Sequence, residues 1–470
     1  MVDREESMDL SRKLDLFIEE EKDNIKNDLA RLIRIPSVSS DKIGDYTFGE
    51  QCANVLETAL EIGTENGFEV ENIDYYCGSI LLNSNVDKEV GIVTHLDVVP
   101  AGDGWNFPCF ELTEKDGLYI GRGTEDDKGP TIAALYTLKF FKKEGIKLPF
   151  SLRMIMGCDE EMGMGDLPYY LTKKKAPFFS FTPDSGYPVC VGEKGIMGVE
   201  VKLCKLGNRI VSFTGGNATN SVCDYSEAVI VTDVSNLPEA ENITIIPFED
   251  NKVKITATGR TAHAAYPEGS NNAIKRIAEY IVVNGLLPND SEEYKAMNYL
   301  TEILDGYLGE GLGINTFDNE SGYLTSIGGM IYEREGVLIQ NINIRYPVTK
   351  NGNDISVLLK NNALEKGFEA NSYYDKEPYY FSPEKPEIKA LVNAYKTVTG
   401  DSDETYTTGG GTYARAFPNT VAFGVTMKES GGLLGDGRGG CHERDEYITI
   451  KELHDSIKIF VHAINNLASL

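Results

Sequence analysis

Side chains capable of acid, base or metal chemistry stand where several apolar runs of this chain break off. "EVGIVTH" closes on His95, and Asp97 follows two positions later. "GRGTEDDKGP" brings Asp126 and Asp127 to the threshold of a helix, "FSLRMIMG" runs on to Asp159, Glu160 and Glu161, and "FFSFTPD" ends on Asp184. A fifth segment, "GRGGCHERDEYI", presents His442 from a glycine-rich loop. Each has a plain reading when taken alone: Asp126 or Asp127 as a helix N-cap, His95 as a hydrogen-bonded core histidine, Glu160 and Glu161 as solvated acids. Those readings do not account for the coincidence, because carboxylates gathered out of water are costly unless paired or bound to a cation. A cation would remove that cost, and the pattern points to metal-assisted chemistry.

The elements that must position these groups alternate. Apolar residues recur at helical spacing from Leu14 through Phe17, Ile18, Ile25, Leu29 and Ile33, and the pattern stops at Pro36. A second helix is predicted over 49 to 65, closed by Gly67. Short β-branched runs at 89 to 95, 150 to 157 and 178 to 184 read as strands, with a helix after Pro130 between the first two. Strand alternating with helix predicts a mostly parallel sheet between helices, and ligands of such sheets bind outside the carboxyl ends of the strands. From about 188 to 380 the texture is instead α+β with an antiparallel sheet. After Pro383 the α/β pattern returns and ends in a helix opened by Thr449 and Glu452 as a capping box. The expected organisation is a discontinuous catalytic domain, 1–187 and 381–470, interrupted by an inserted domain, 188–380.

Composition narrows the partners. The 470 residues exceed what one core usually holds, and 45 Lys and Arg against 73 Asp and Glu leave a net charge of −28. That field disfavours nucleic acid and anionic membrane. No apolar stretch reaches the length of a membrane span, and the opening residues carry no secretory pattern. The eight cysteines lack framework spacing, so free thiols in a reducing cytoplasm are expected. Of five histidines, His454 and His462 lie on the last helix and are assigned to packing or solvent. His95, His263 and His442 lie near Gly, Pro or acidic residues in expected loops.

Seven segments in order, "HLDVVPAGDGW", "GRGTEDDKGP", "DEEMG", "PDSGYPVCVGEKG", "GRTAHAAYPEGSNNAI", "GGGTYARAFPN" and "HERDEYI", resemble the co-catalytic di-metal exopeptidases and deacylases. That family includes carnosinases, acetylornithine deacetylase and succinyl-diaminopimelate desuccinylase, and the chain most resembles its bacterial PepV-type dipeptidase branch from about residue 24 to the end. The resemblance implies a di-zinc exopeptidase-like α/β catalytic domain and an α+β lid. It implies that Asp126 bridges two divalent ions, that His95 and Asp184 complete one site, and that Glu161 and His442 complete the other. Asp97 would then hold the His95 ring in one tautomer, and Glu160 would act as general base.

Two imidazoles and three carboxylates suit zinc first, and also manganese or cobalt. Cys441 is read as a small loop residue rather than a ligand. By the same resemblance His263 stabilises the oxyanion, Arg345 and Asn220 bind the terminal carboxylate and its surroundings, and the glycines of "TTGGGTYAR", Gly410 and Gly411 among them, wall the pocket. The implied function is a monomeric dipeptidase acting on short peptides with a free carboxylate. An N-acyl amino acid deacylase with the same metal centre is the alternative. This chain departs from the family pattern at Cys223, where relatives usually carry Pro, and in its glycine-rich "GGLLGDGRGG".

Overall fold

The computed structural model describes residues 4–207, 209–232, 237–249, 251–427, 431–435 and 437–470, with side chains from Asp9 onward. The chain divides into two compact units, one of residues 1–191, 381–406 and 411–470, the other of residues 192–380 and 407–410. The glycine segment is therefore divided, with Gly410 in the second unit and Gly411 in the first.

In the first unit a mixed sheet runs in the order Glu69–Ile73, Cys77–Leu82, Ser151–Gly157, Glu89–His95, Phe179–Thr182, Thr420–Ala422, and then Cys190, which faces Ala422. The four strands from Ser151–Gly157 to Thr420–Ala422 are parallel. Their neighbours on both flanks are antiparallel. The predicted parallel character thus belongs to the centre of the sheet, where the strands are buried on both faces and read as continuous apolar runs.

Side-chain alternation assigns the two faces. Ile92, Met154 and Met156 enter a large core with the helices Arg4–Ile33, Glu50–Glu65, Lys128–Glu144, Pro386–Thr399 and Ile450–Ala468. Val93 and Ile155 point the other way, into a smaller core with Leu167, Tyr170 and Tyr413. Helix Lys128–Glu144 begins before Pro130 rather than after it, since proline in a first turn removes no intrahelical hydrogen bond. The last helix opens with the expected Thr449 and Glu452 capping box. A small antiparallel sheet of Thr113–Lys115, Leu118–Ile120 and Tyr447–Thr449 brings the loop before Asp126 against the segment after His442.

The second unit is an eight-stranded antiparallel sheet in the order Ile243–Glu249, Lys252–Thr258, Tyr225–Val231, Ile210–Gly215, Thr325–Arg334, Val337–Tyr346, Gly195–Lys205 and Glu369–Lys376. Helices Ala273–Val283, Glu292–Ile303 and Gly352–Glu365 share its core. No helix among the described residues is long and apolar enough to cross a membrane. All eight cysteines are free.

Candidate active site

Three adjacent parallel strands deliver acidic and imidazole groups at their carboxyl ends. His95 is the last residue of Glu89–His95, Glu160 and Glu161 follow Ser151–Gly157, and Asp184 follows Phe179–Thr182. Asp126 comes from the loop entering helix Lys128–Glu144, and His442 from the loop before Tyr447–Thr449. Two trios result, His95 with Glu160 and Asp184, and Asp126 with Glu161 and His442; within each, the candidate ligand atoms all lie within 4.8 Å of one another. Asp126 joins them: its Oδ1 is 3.0 Å from His95 Nε2 and its Oδ2 is 3.1 Å from His442 Nε2. Glu161 lies 3.1 Å from the same His442 nitrogen, and Asp184 3.9 Å from His95 Nε2. Cys441 is exposed and belongs to neither trio.

The His95 ring is buried, and its Nδ1 is 3.0 Å from the main-chain carbonyl of Asp97 and 3.4 Å from that residue's carboxylate. A carbonyl only accepts, so Nδ1 carries a proton there, and Nε2 is the ring nitrogen turned towards Asp126. The Asp97 carboxylate has a second task, accepting from the N–H of Glu160 at 3.2 Å and of Glu161 at 3.1 Å. One buried aspartate thereby sets both the imidazole and the paired glutamates. Asp127 occupies the N-cap position of its helix, but its side chain does not cap; Oδ2 accepts from the His95 N–H at 3.0 Å. Neither aspartate of the pair serves as the N-cap that the sequence allowed.

Electrostatics describe a concentration of negative charge held out of water. Burial pushes the Asp184 carboxyl well above its ordinary range, and the charges of Asp126 and Glu160 add to the shift. Glu160 is likewise raised by burial, and its Oε1 has no hydrogen-bond partner among the described residues. Burial acts on Asp126 too, yet the His442 and His95 imidazoles hold it well below the usual carboxylate range. The Asp126 and Glu161 carboxylates in turn push His442 up to about 11. Imidazole nitrogens and carboxylate oxygens converging in this way form a nitrogen and oxygen donor set that fits divalent cations, which would offset the gathered negative charge.

Several supporting residues escaped the sequence reading. Glu446 is buried, accepts from Arg122 Nη1 at 2.7 Å, and accepts from the N–H groups of Gly123, Glu125 and Asp126 at 2.9 to 3.1 Å. Asp166 accepts from the N–H of Cys158 at 2.7 Å and of Asp159 at 2.9 Å, and Tyr413 Oη donates to the same carboxylate. Burial pushes Asp166 up to about 7. Gly157 is required at this strand end, since a Cβ there would lie 1.9 Å from Tyr413 Oη and 2.3 Å from Asp166 Oδ2. The signal for Glu446 was present in "HERDEYI"; nothing local marks the partnership of Asp166 with Tyr413, 247 positions away.

The remaining predicted residues lie in the second unit, apart from Gly411. The segments of Asn220 and His263 are joined there: Ala264 N–H donates to the Asn220 carbonyl at 2.8 Å, and Ser221 bridges His263. Arg345 is buried, donating from Nε to Asn343 Oδ1 at 2.9 Å and from Nη1 to the Gly409 carbonyl at 2.8 Å. Cys223, at the departure from the family pattern, is buried, and its thiol donates to the Tyr225 carbonyl.

A family model for peptidases M20/M25/M40 matches residues 91–466, most of the chain and every residue of both trios. The chain belongs to peptidase family M20/M25/M40. As a member it is a hydrolase of peptide bonds. A Staphylococcus aureus (strain MW2) relative, provisionally named a dipeptidase, is 30% identical over 470 residues, covering 96% of this chain and 98% of its own.

Among solved structures, human carnosine dipeptidase 1 matches at TM-score 0.60 and 16% identity over 98% of this chain and 99% of its own. The dipeptidase Dug1p of Saccharomyces cerevisiae matches at TM-score 0.58 and 15% identity over 98% of both chains. At such identities these two likenesses establish the peptidase M20 fold.

Proposed function

We propose that this M20 peptidase is a metal-dependent dipeptidase that hydrolyses the single amide of a dipeptide with a free C-terminal carboxylate. The observation that carries the reading is Asp126, whose two oxygens face two different imidazoles at 3.0 and 3.1 Å, each with further carboxylates beside it. Asp126 would serve two divalent ions, one held with His95 and Asp184 and the other with Glu161 and His442. We favour zinc as the metal, with manganese or cobalt as substitutes, because nitrogen and carboxylate oxygen donors suit all three. When bound, such a pair supplies Lewis acidity and a water acidified towards neutrality.

The protein's own groups do the rest. Glu160 takes a proton from the attacking water and passes it to the departing amine, and Asp97 holds Glu160 and His95 in register for this step. His263 donates to the oxyanion, and the Arg345 guanidinium receives the terminal carboxylate, with Asn220, Gly410 and Gly411 completing the enclosure. The enzyme is further read as a cytoplasmic monomer with the second unit as its lid, and sedimentation as a dimer would contradict the monomer.

The test is an assay of purified protein with zinc or manganese on a panel of dipeptides and of N-acyl amino acids. Release of amino acids from dipeptides is expected. Hydrolysis of the N-acyl compounds alone would assign the deacylase activity instead.

A further inference from the structure

Every residue of the segment 121–126, which ends on Asp126, directs a hydrogen-bond donor at one buried acid, Glu446. Gly121 N–H donates to the Glu446 main-chain carbonyl at 2.9 Å, and Thr124 Oγ1 lies 3.2 Å from the same carbonyl. The Glu446 carboxylate accepts from Arg122 Nη1 at 2.7 Å and from the N–H groups of Gly123, Glu125 and Asp126 at 2.9 to 3.1 Å.

Strand pairing delivers Glu446 to that segment. Tyr447 pairs with Ile120 in the small antiparallel sheet, so the residue before Tyr447 meets the residue after Ile120. Gly123 then turns at a φ of +90°, which a side chain would disfavour, and its N–H comes back to the carboxylate. The arrangement is anchored beyond these contacts. The Arg122 guanidinium lies over the ring of Trp105 at 5.2 Å. Asp445, beside Glu446, accepts from the N–H groups of Asn106 and Phe107 at 2.7 and 3.3 Å and pairs with Arg438.

A buried Arg–Glu pair is by itself weak evidence of anything beyond packing. What this carboxylate holds sets it apart. His442 stands four residues before Glu446 on the same segment. Glu446 therefore ties the backbone of Asp126 to the segment of the imidazole that Asp126 Oδ2 faces at 3.1 Å. All the hydrogen-bonding groups directed at its carboxylate are donors, so the ionised acid satisfies them together, and such charge-assisted bonds are about twice as strong as neutral ones.

We infer that Glu446 is a positioning residue for the metal centre, setting Asp126 and His442 at the separation that their shared ion requires. The inference rests on the two-ion reading above and adds an order of dependence to it. The ion held by Asp126, Glu161 and His442 draws two of its three protein groups from segments that Glu446 fixes. The ion held with His95 and Asp184 draws only Asp126 from them, and Asp97 sets His95 independently. Loss of the Glu446 carboxylate therefore weakens the His442 ion more than the His95 ion.

The test compares the wild type with Glu446→Gln and with the double variant Arg122→Met/Glu446→Gln. The amide keeps the size of the side chain but turns one acceptor into a donor. The double variant removes both charges of the buried pair, so neither is left uncompensated if the single variant folds poorly. Metal-free protein is titrated calorimetrically with zinc chloride, and the visible spectrum of cobalt-loaded protein is recorded beside thermal unfolding. The wild type is expected to take up two ions. In the variants one ion is expected to bind about tenfold or more weakly, with a smaller loss for the other, and the cobalt bands to change with the ligand geometry. A purely structural role would lower Tm and leave both affinities and the cobalt spectrum as in the wild type, which would overturn the inference alone. Failure of the wild type to bind any divalent ion would overturn the metal reading, and this inference with it.

Discussion

Glu160 and Glu161 are neighbours in sequence with different surroundings. Glu161 is 3.1 Å from His442 Nε2, whereas Glu160 keeps a buried oxygen without a hydrogen-bond partner among the described residues. The Asp97 carboxylate fixes both main-chain N–H groups, so the two side chains diverge from a common brace. In the proposed reaction that divergence separates metal binding from proton transfer. Replacing Glu160 by Ala is therefore expected to lower kcat by about 10² to 10⁴ while leaving two ions per chain. Elemental analysis beside steady-state kinetics checks this, and loss of metal with activity would show that Glu160 is a ligand. Residue types and order made the seven acidic and imidazole groups legible in the sequence. The division of labour within Asp97 was not, because its carbonyl on His95 and its carboxylate on the glutamates are set by backbone direction.

The loop after Ser151–Gly157 shows what a neighbouring element adds. Tyr413, from the short helix Tyr413–Ala416, donates to Asp166, and Asp166 holds the N–H groups of Cys158 and Asp159 immediately before the paired glutamates. Tyr413→Phe is expected to cost about 1.5–3 kcal/mol of stability, the range for a hydrogen bond to a charged group, and to lower kcat/KM about tenfold by loosening Glu160. Denaturant unfolding with kinetics tests both, and an unaltered kcat/KM would remove Tyr413 from the positioning of that loop.

Helix Ile450–Ala468 offers a test by pH. His462 is buried there, and desolvation lowers it from 6.5 to about 4. The folded state favours the neutral ring, so the unfolded chain takes up more protons between those values and stability falls as pH drops from about 6.5 to 4. The contribution at stake is on the order of 3 kcal/mol. His462→Leu should flatten that part of the stability profile relative to wild type, and parallel profiles would contradict the assignment. Local signals such as the Thr449 and Glu452 capping box could be read from sequence because they act over three residues. The pairing of Tyr413 with Asp166 depends on tertiary packing and leaves no periodic trace.

For the molecule as a whole, the change from α/β to antiparallel α+β texture was legible from hydrophobic patterning, since strands buried on both faces and strands in an antiparallel sheet carry different repeats. The division of "TTGGGTYAR" between units, with 407–410 in the second, was not, because glycine pattern does not reveal which sheet a backbone joins. The net charge of −28 favours cation capture and makes the carboxylate cluster of the first unit self-repelling without a counter-ion. The most direct measurement is the metal content and dipeptidase activity of purified protein, wild type against Asp126→Asn. Two divalent ions per wild-type chain are expected, with at most one in the variant and activity lost in parallel. Full turnover by metal-free wild-type protein, or two ions and normal turnover in Asp126→Asn, would contradict the account.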